Sequence, residues 1–359
     1  MTLTFIIYKV ILVLVVFSIT LLVATYSTYA ERKIAAFLQD RVGPDRAGPF
    51  GILQPLADAV KMFMKEEMIP SVSNKSLFII GPGICMLTAC MTGAVIPWGK
   101  AITINGTSYS LQVTDVNIGI LYLFGVISLG VYGIMIGGWA SNNKYSLLGA
   151  IRASSQMISY EVAMGLSIIA LVMTTGTLSL GEIAAQQGAG KLWGVFNTPS
   201  INWNVFYQPL GCLIFVICAF AETNRAPFDL PECETELVGG YHTEYSSMKL
   251  GLFLFAEYIN MFISSAVIST FYFGGYNMPF IGRWVHDPNW LAIWGFVFLF
   301  MKIVGFIFFF MWIRWTLPRF RYDQLMNLGW KILIPLSILN LVITGAVCMR
   351  HEIAAYFGM

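Results

Sequence analysis

Leu3-Thr4-Phe5-Ile6-Ile7-Tyr8-Lys9-Val10-Ile11-Leu12-Val13-Leu14-Val15-Val16-Phe17-Ser18-Ile19-Thr20-Leu21-Leu22-Val23-Ala24-Thr25 is the stretch whose reading decides the fold. It carries a single charge, Lys9, in twenty-three residues. A helix of about twenty apolar residues crosses a hydrocarbon core about 30 Å thick, because in lipid every backbone N–H and C=O must find its partner inside the segment. Beyond the stretch stand Arg32, Lys33, Arg41 and Arg46, a basic cluster expected beside a retained anchor rather than after a cleaved leader.

Seven further runs approach or meet the same length, at 77–97, 118–139, 162–178, 205–222, 250–273, 290–315 and 330–349. The fourth and fifth of the eight are short. A content of 57% hydrophobic and 11% charged residues, with a mean hydropathy of +0.71, lies outside the soluble range. The expected fold is an all-α, polytopic bundle of about eight transmembrane helices, forming one membrane domain over residues 1–359. Lys and Arg divide fifteen to four between the two sets of connections, which places the first, third, fifth and seventh connections in the cytoplasm and both termini outside.

The net charge of +2 offers no concentrated basic face for a nucleic acid. The six cysteines form no C-x-x-C pair, and all but Cys233 lie in apolar runs, so neither a disulfide framework nor a metal centre is expected. His242, His286 and His351 fall outside the spans, which removes the paired histidines of a haem bundle. No glycine-rich nucleotide fingerprint is present. The chain is expected to carry no redox cofactor of its own.

The first connection, 26–76, is long for a membrane loop. Within it Leu56, Val60 and Phe63 recur at helical spacing, while Gln54, Asp58, Lys61 and Lys65 take another face. This predicts an amphipathic helix over about 52–67 lying in the interface plane, either as a plain anchor or as part of a site. Asp58 and Lys61, one turn apart, also suit a local pair. The fifth connection, 223–249, is acidic, and Glu222 to Glu257 holds seven acids against Arg225 and Lys249. Asp229, Glu232 and Glu236 share one helical face, where crowded carboxylates cannot all ionise. Glu161 opens the fourth span, Glu222 closes the fifth and Glu257 lies inside the sixth; acids at such depth mark proton routes or buried ion pairs. Lys302, within the seventh span, reads equally as a counter-charge or as a snorkelling side chain.

Several of these segments resemble the H-subunit family of NADH-quinone oxidoreductase, the respiratory complex I. They are Glu31-Arg32-Lys33, Gln39 to Pro49, Leu53-Gln54-Pro55 with Ala57-Asp58-Ala59 and Lys61, Arg152 with Ser159-Tyr160-Glu161, Ala221 to Leu230, Glu232 to Tyr245, and Leu317 to Met326. The resemblance covers essentially the whole chain. It implies that the second to sixth helices resemble half of a proton antiporter, and that the first helix, the interfacial helix and the sixth helix frame a narrow quinone entrance. By position, Glu31, Arg32, Arg41, Asp58 and Lys61 would line or brace that passage. Arg225, Asp229, Glu232, Glu234 and Glu236 would form a charged funnel beneath an iron–sulfur cluster held by a partner. Glu161, Glu222, Glu244 and Glu257 would relay protons.

The resemblance also implies ubiquinone or menaquinone as substrate, with FMN and iron–sulfur clusters only in the partners. Those implied partners are the B, D and I polypeptides of the hydrophilic arm and the A, J and K polypeptides of the membrane arm, in a bacterial inner membrane. The family commonly has Gly or Ala where Cys233 stands, which puts redox sensitivity in question. Two-electron quinone reduction changes local charge, and unit charges about 4 Å apart interact by roughly 4 kcal/mol at an effective dielectric near 20. That is enough to protonate a neighbouring acid. Rival readings are an autonomous cation/proton antiporter, the equivalent component of a membrane-bound hydrogenase, and a scaffold.

Overall fold

The computed structural model describes residues 3–104, 106–188, 202–230, 237–279 and 287–349. Among these, seven helices are long and apolar enough to cross a membrane, and an eighth apolar helix, Pro209–Glu222, is shorter. In chain order the helices are α1 (Leu3–Leu38), α2 (Gln54–Met64), α3 (Lys75–Thr92), α4 (Gly119–Ala140), α5 (Lys144–Thr175), α6 (Leu180–Gln186), α7 (Asn204–Tyr207) and α8 (Pro209–Glu222). They are followed by α9 (Ser247–Tyr272), α10 (Pro288–Thr316), α11 (Tyr322–Asn327) and α12 (Ile334–Cys348), with a π-helical turn at Leu328–Leu333 leading into the last. The protein is a polytopic membrane bundle.

Small residues set the closest approaches. A Cβ on Gly81 would lie 2.9 Å from Gly137 Cα, so α3 and α4 touch backbone to backbone, as membrane helices do where no solvent drives them together. The long α5 packs against α4, α8 and α12, and α9 packs against α3, α10 and α1. At the periphery, α1 leaves Ile11, Leu14 and Leu22 more than half exposed, a surface matched to lipid rather than water.

Three features depart from the hydropathy reading. α1 runs past the expected end at 25 as far as Leu38, which places Glu31 and Arg32 on a helix rather than in a loop. α5 begins at Lys144, so Glu161 sits in the middle of a helix instead of opening a span. Its polar leading half stays helical because it packs on protein: Gln156 donates to the carbonyls of Ala221 (2.9 Å) and Phe228 (2.8 Å). Hydropathy measures the apolar part of a helix and misses such an extension. Third, the α3–α4 connection forms a two-stranded antiparallel hairpin, β1 (Ile102–Ile104) and β2 (Thr107–Tyr109), in register Ile104↔Thr107. Gly106 takes a left-handed conformation at its turn, and Asn289 of α10 holds its edge through Thr103.

Helix α2 is amphipathic, with its apolar face turned outward. Leu56, Val60 and Phe63 are exposed, while Asp58 turns inward to Arg32 of α1.

Candidate functional site

At one end of the bundle, Glu31 gathers groups from three other parts of the chain. Arg225, just after α8, donates to its Oε2 at 2.7 Å; Arg314, in the last turn of α10, reaches its Oε1 at 2.5 Å. The Tyr258 hydroxyl of α9 donates to the same carboxylate at 2.9 Å. Arg225 also stacks on the Tyr258 ring, 4.2 Å from its centroid, a cation–π contact strengthened by the dry surroundings. Glu31 and Arg225 are both buried, which makes the pair costly to break from one side. Burial opposes the charge on Arg225, but the Glu31 carboxylate, with Tyr258 and Glu257 behind it, raises its pKa above the ordinary guanidinium value. Arg225 Nε and Nη2 have no hydrogen-bond partner among the described residues.

Beside this cluster lies a cavity of about 540 Å³ between α1, α2, α9 and the end of α10. Its walls are apolar where Leu21, Met62, Phe63, Met86, Leu254 and Phe255 line it, and charged where Glu31, Arg32, Arg41 and Asp58 do. Its size falls within the range of small-molecule sites, and the mix of apolar wall and few polar groups is typical of them. Arg32 pairs with Asp58 at 2.8 Å, Gln54 donates to Asp58 at 3.2 Å, and Arg41 donates to Gln39 at 2.8 Å. Lys61 approaches Asp58 only to 4.0 Å and is largely exposed; it braces the wall from outside. Asp229 accepts from Arg319 at 2.6 Å and does not line the cavity. Glu232, Glu234, Glu236 and Cys233 lie outside the described residues.

The buried acids form a second group. Glu222 and Glu257 line a smaller cavity of about 40 Å³ with Thr88, Asn224, Asn260 and Ser264, room for a few waters beside polar groups. Glu257 accepts from the Tyr241 hydroxyl at 3.1 Å. Glu222 Oε2 is buried with no hydrogen-bond partner among the described residues. Glu161 accepts from Ser128 of α4. Glu244 is set apart, accepting from Asn143 at 2.6 Å where α4 turns into α5.

Sequence patterning does not single out Arg314, Tyr258, Tyr241 or Arg319 as site residues. There, Arg314 counts only as an orienting charge, and Arg319 as one more and as part of the Leu317 to Met326 run. The signal that could find them is the need of a buried Glu31 or Asp229 for a cation. Among the described residues Lys302 meets no carboxylate; its amine donates to the carbonyls of Phe273, Gly275 and Asn277.

The chain matches the family described as NADH dehydrogenase over residues 10–345. It is 69% identical over 342 residues to the first of the H subunits of NADH-quinone oxidoreductase in Cytophaga hutchinsonii, covering 95% of this chain and 97% of that one. It is 63% identical over 357 residues to the NADH-quinone oxidoreductase H subunit of Flavobacterium johnsoniae, covering 99% of each. Against the second of the H subunits of Geobacter metallireducens the identity is 48% over 346 residues, covering 93% and 94%. With near-complete coverage at these identities, the chain belongs to the H-subunit family and is a membrane component of a bacterial NADH-quinone oxidoreductase, complex I.

Proposed function

We propose that this subunit forms the quinone entrance and part of the reduction chamber, and couples quinone reduction to proton translocation through its buried carboxylates. The observation that carries the reading is the 540 Å³ cavity, apolar along most of its wall and bounded by Glu31, Arg32, Arg41 and Asp58. An isoprenoid quinone has a matching division, an apolar tail and a polar head whose charge changes on reduction. Apolar walls take the tail, and the arginines stabilise negative charge that develops on the head. Arg225 relates this cavity to the acids, since it holds Glu31 and also senses Glu257. Glu257, Glu222, Glu161 and Glu244 then relay charge, while Arg225, Asp229, Glu232, Glu234 and Glu236 form the charged funnel on the quinone side.

In this reading α2 lies in the cytoplasmic membrane interface. The connections 26–76 and 223–249 grip the B, D and I polypeptides of the hydrophilic arm, the bundle flank meets the A, J and K polypeptides of the membrane arm, and both termini face outward from the inner membrane. Electrons arrive from FMN and iron–sulfur clusters in the partners, and this chain supplies the passage and the proton path. A photoreactive quinone analogue, activated on the intact complex, tests the passage. Labelling of α1, α2 and α9 peptides, suppressed by excess quinone, is expected. Saturable labelling confined to other polypeptides of the complex would overturn the assignment.

A further inference from the structure

Beside the hairpin of the α3–α4 connection lies a cleft of about 280 Å³ between α1 and α10. Leu12, Val15 and Ile19 line it on α1, and Ile293, Phe296 and Phe300 on α10. The spacing is the same on both helices, so each gives one face over seven residues, about 10 Å of its length. Trp98 and Leu111 line it from the connection, and every wall is apolar. Leu12 and Trp98 are buried whereas Val15 and Ile293 are about half exposed, so the cleft opens sideways from the bundle.

The cleft is pinned at both ends. Toward one, α10 is tied to α1 by Arg314 and Glu31 at 2.5 Å. At the other, Lys9 of α1 donates to the carbonyls of Gln112 and Val113 at 2.7 Å each, and Asn289 of α10 pairs with Thr103 at 2.8 and 2.9 Å. Held so, the helices do not close on the space, and an unfilled void forfeits the dispersion contacts of its lining. Water gains nothing there, for no polar group receives it. Trp290 and Trp294, both exposed on α10, mark the level of a membrane interface. Phe300 lies six residues beyond Trp294, about 9 Å deeper, so the cleft belongs to one leaflet of a core about 30 Å thick, the outer one in the orientation given above.

An acyl chain has that length and chemistry, and a charge near the opening selects its head group. Lys100 stands two residues from Trp98 and two from Ile102, both of which line the cleft. It is exposed and enters no ion pair among the described residues. The outer connections hold only four Lys and Arg in all, so a cation at this place is not part of a general basic surface. We propose that the cleft binds an anionic phospholipid of the outer leaflet, with one acyl chain between α1 and α10 and the phosphate on Lys100. A neutral quinone carries no charge for Lys100 to meet. The inference goes beyond the quinone and relay readings and depends on neither.

The test uses the intact complex in phosphatidylcholine vesicles doped with phosphatidylglycerol that bears a photoreactive group in one acyl chain. Activation should label residues 12–19 and 293–300, and excess unlabelled phosphatidylglycerol should suppress the label. Lys100→Ala, a change at an exposed and unpaired side chain, should lower labelling about fivefold, the effect of one basic residue on an anionic lipid. Val15→Phe, which fills the cleft, should abolish it. Equal labelling by a phosphatidylcholine probe, or unchanged labelling of Lys100→Ala or Val15→Phe, would show bulk lipid only and overturn the proposal. So would a label displaced by added quinone, or no label on either helix because another polypeptide covers the cleft.

Discussion

Glu31 is the residue on which the charged end of the bundle turns. Two arginines and a tyrosine converge on it, and removing its charge leaves Arg225 buried against a neutral amide. Glu31→Gln should destabilise the subunit by about 3–5 kcal/mol, seen as a lower melting temperature of the complex and loss of quinone reduction. Tyr258→Phe removes one hydrogen bond but keeps the ring under Arg225, so a loss of only about 1–2 kcal/mol is expected. The pH behaviour follows from the raised pKa of Arg225, whose charge burial opposes and Glu31 sustains. A cation whose folded pKa lies above its unfolded value contributes stability that is full below the unfolded pKa and lost only as pH rises through the folded one. For arginine both lie beyond about pH 12. The stability gap between wild type and Arg225→Gln should therefore show no arginine titration from about pH 6 to pH 9. A gap that closes within that window would show that the pair does not hold as described.

Among the elements, α5 shows best what the sequence conceals. Glu257 is legible because a lone acid in an apolar run announces itself. Glu161 reads as a span edge because Lys144, Arg152, Gln156 and the serines around them dilute the apolar signal, although their helix continues unbroken. Only the tertiary contact of Gln156 with Ala221 and Phe228 accounts for it. Arg314 is hidden for a related reason: at the end of a span, an arginine that orients the helix and one that pairs a buried acid look alike. The face of α5 toward the connection before α9 gives a test. A Cβ on Gly149 would stand 2.7 Å from the Tyr241 nitrogen and 2.8 Å from the Gly240 backbone, too close for either to stay in place. Gly149→Ala should push that turn away and shift the Tyr241 hydroxyl from Glu257, lowering protons pumped per quinone more than quinone reduction itself. Gly165→Ala on the same helix meets nothing within 4 Å and should change stability by no more than about 0.5 kcal/mol. Equal effects of the two substitutions would contradict the close approach.

At the scale of the whole molecule, the proposed topology counts the shorter Pro209–Glu222 helix as a crossing beside the seven long ones, which would return the chain to the side on which it began, with the basic connections on the opposite, inner side. Cys348, at the end of α12, is exposed, whereas Cys85, Cys212 and Cys218 are buried. A membrane-impermeant maleimide applied from outside should therefore label Cys348, and a Cys348→Ser variant should lose that label. Labelling of Cys348 only in inverted vesicles would reverse the orientation. The larger cavity and the acid-lined cavity share α9, so the proposed passage and relay would meet within one bundle. The first is framed by Glu31 and Tyr258 and the second by Glu257, one residue before that tyrosine. This adjacency is what the proposed coupling within a single chain would use. The most direct test is the number of protons translocated per quinone reduced by an assembled Glu222→Gln complex in liposomes. Coupling through the buried acids predicts that coupled pumping falls about tenfold or more while the complex still assembles. Unchanged assembly, quinone reduction and proton yield would contradict it.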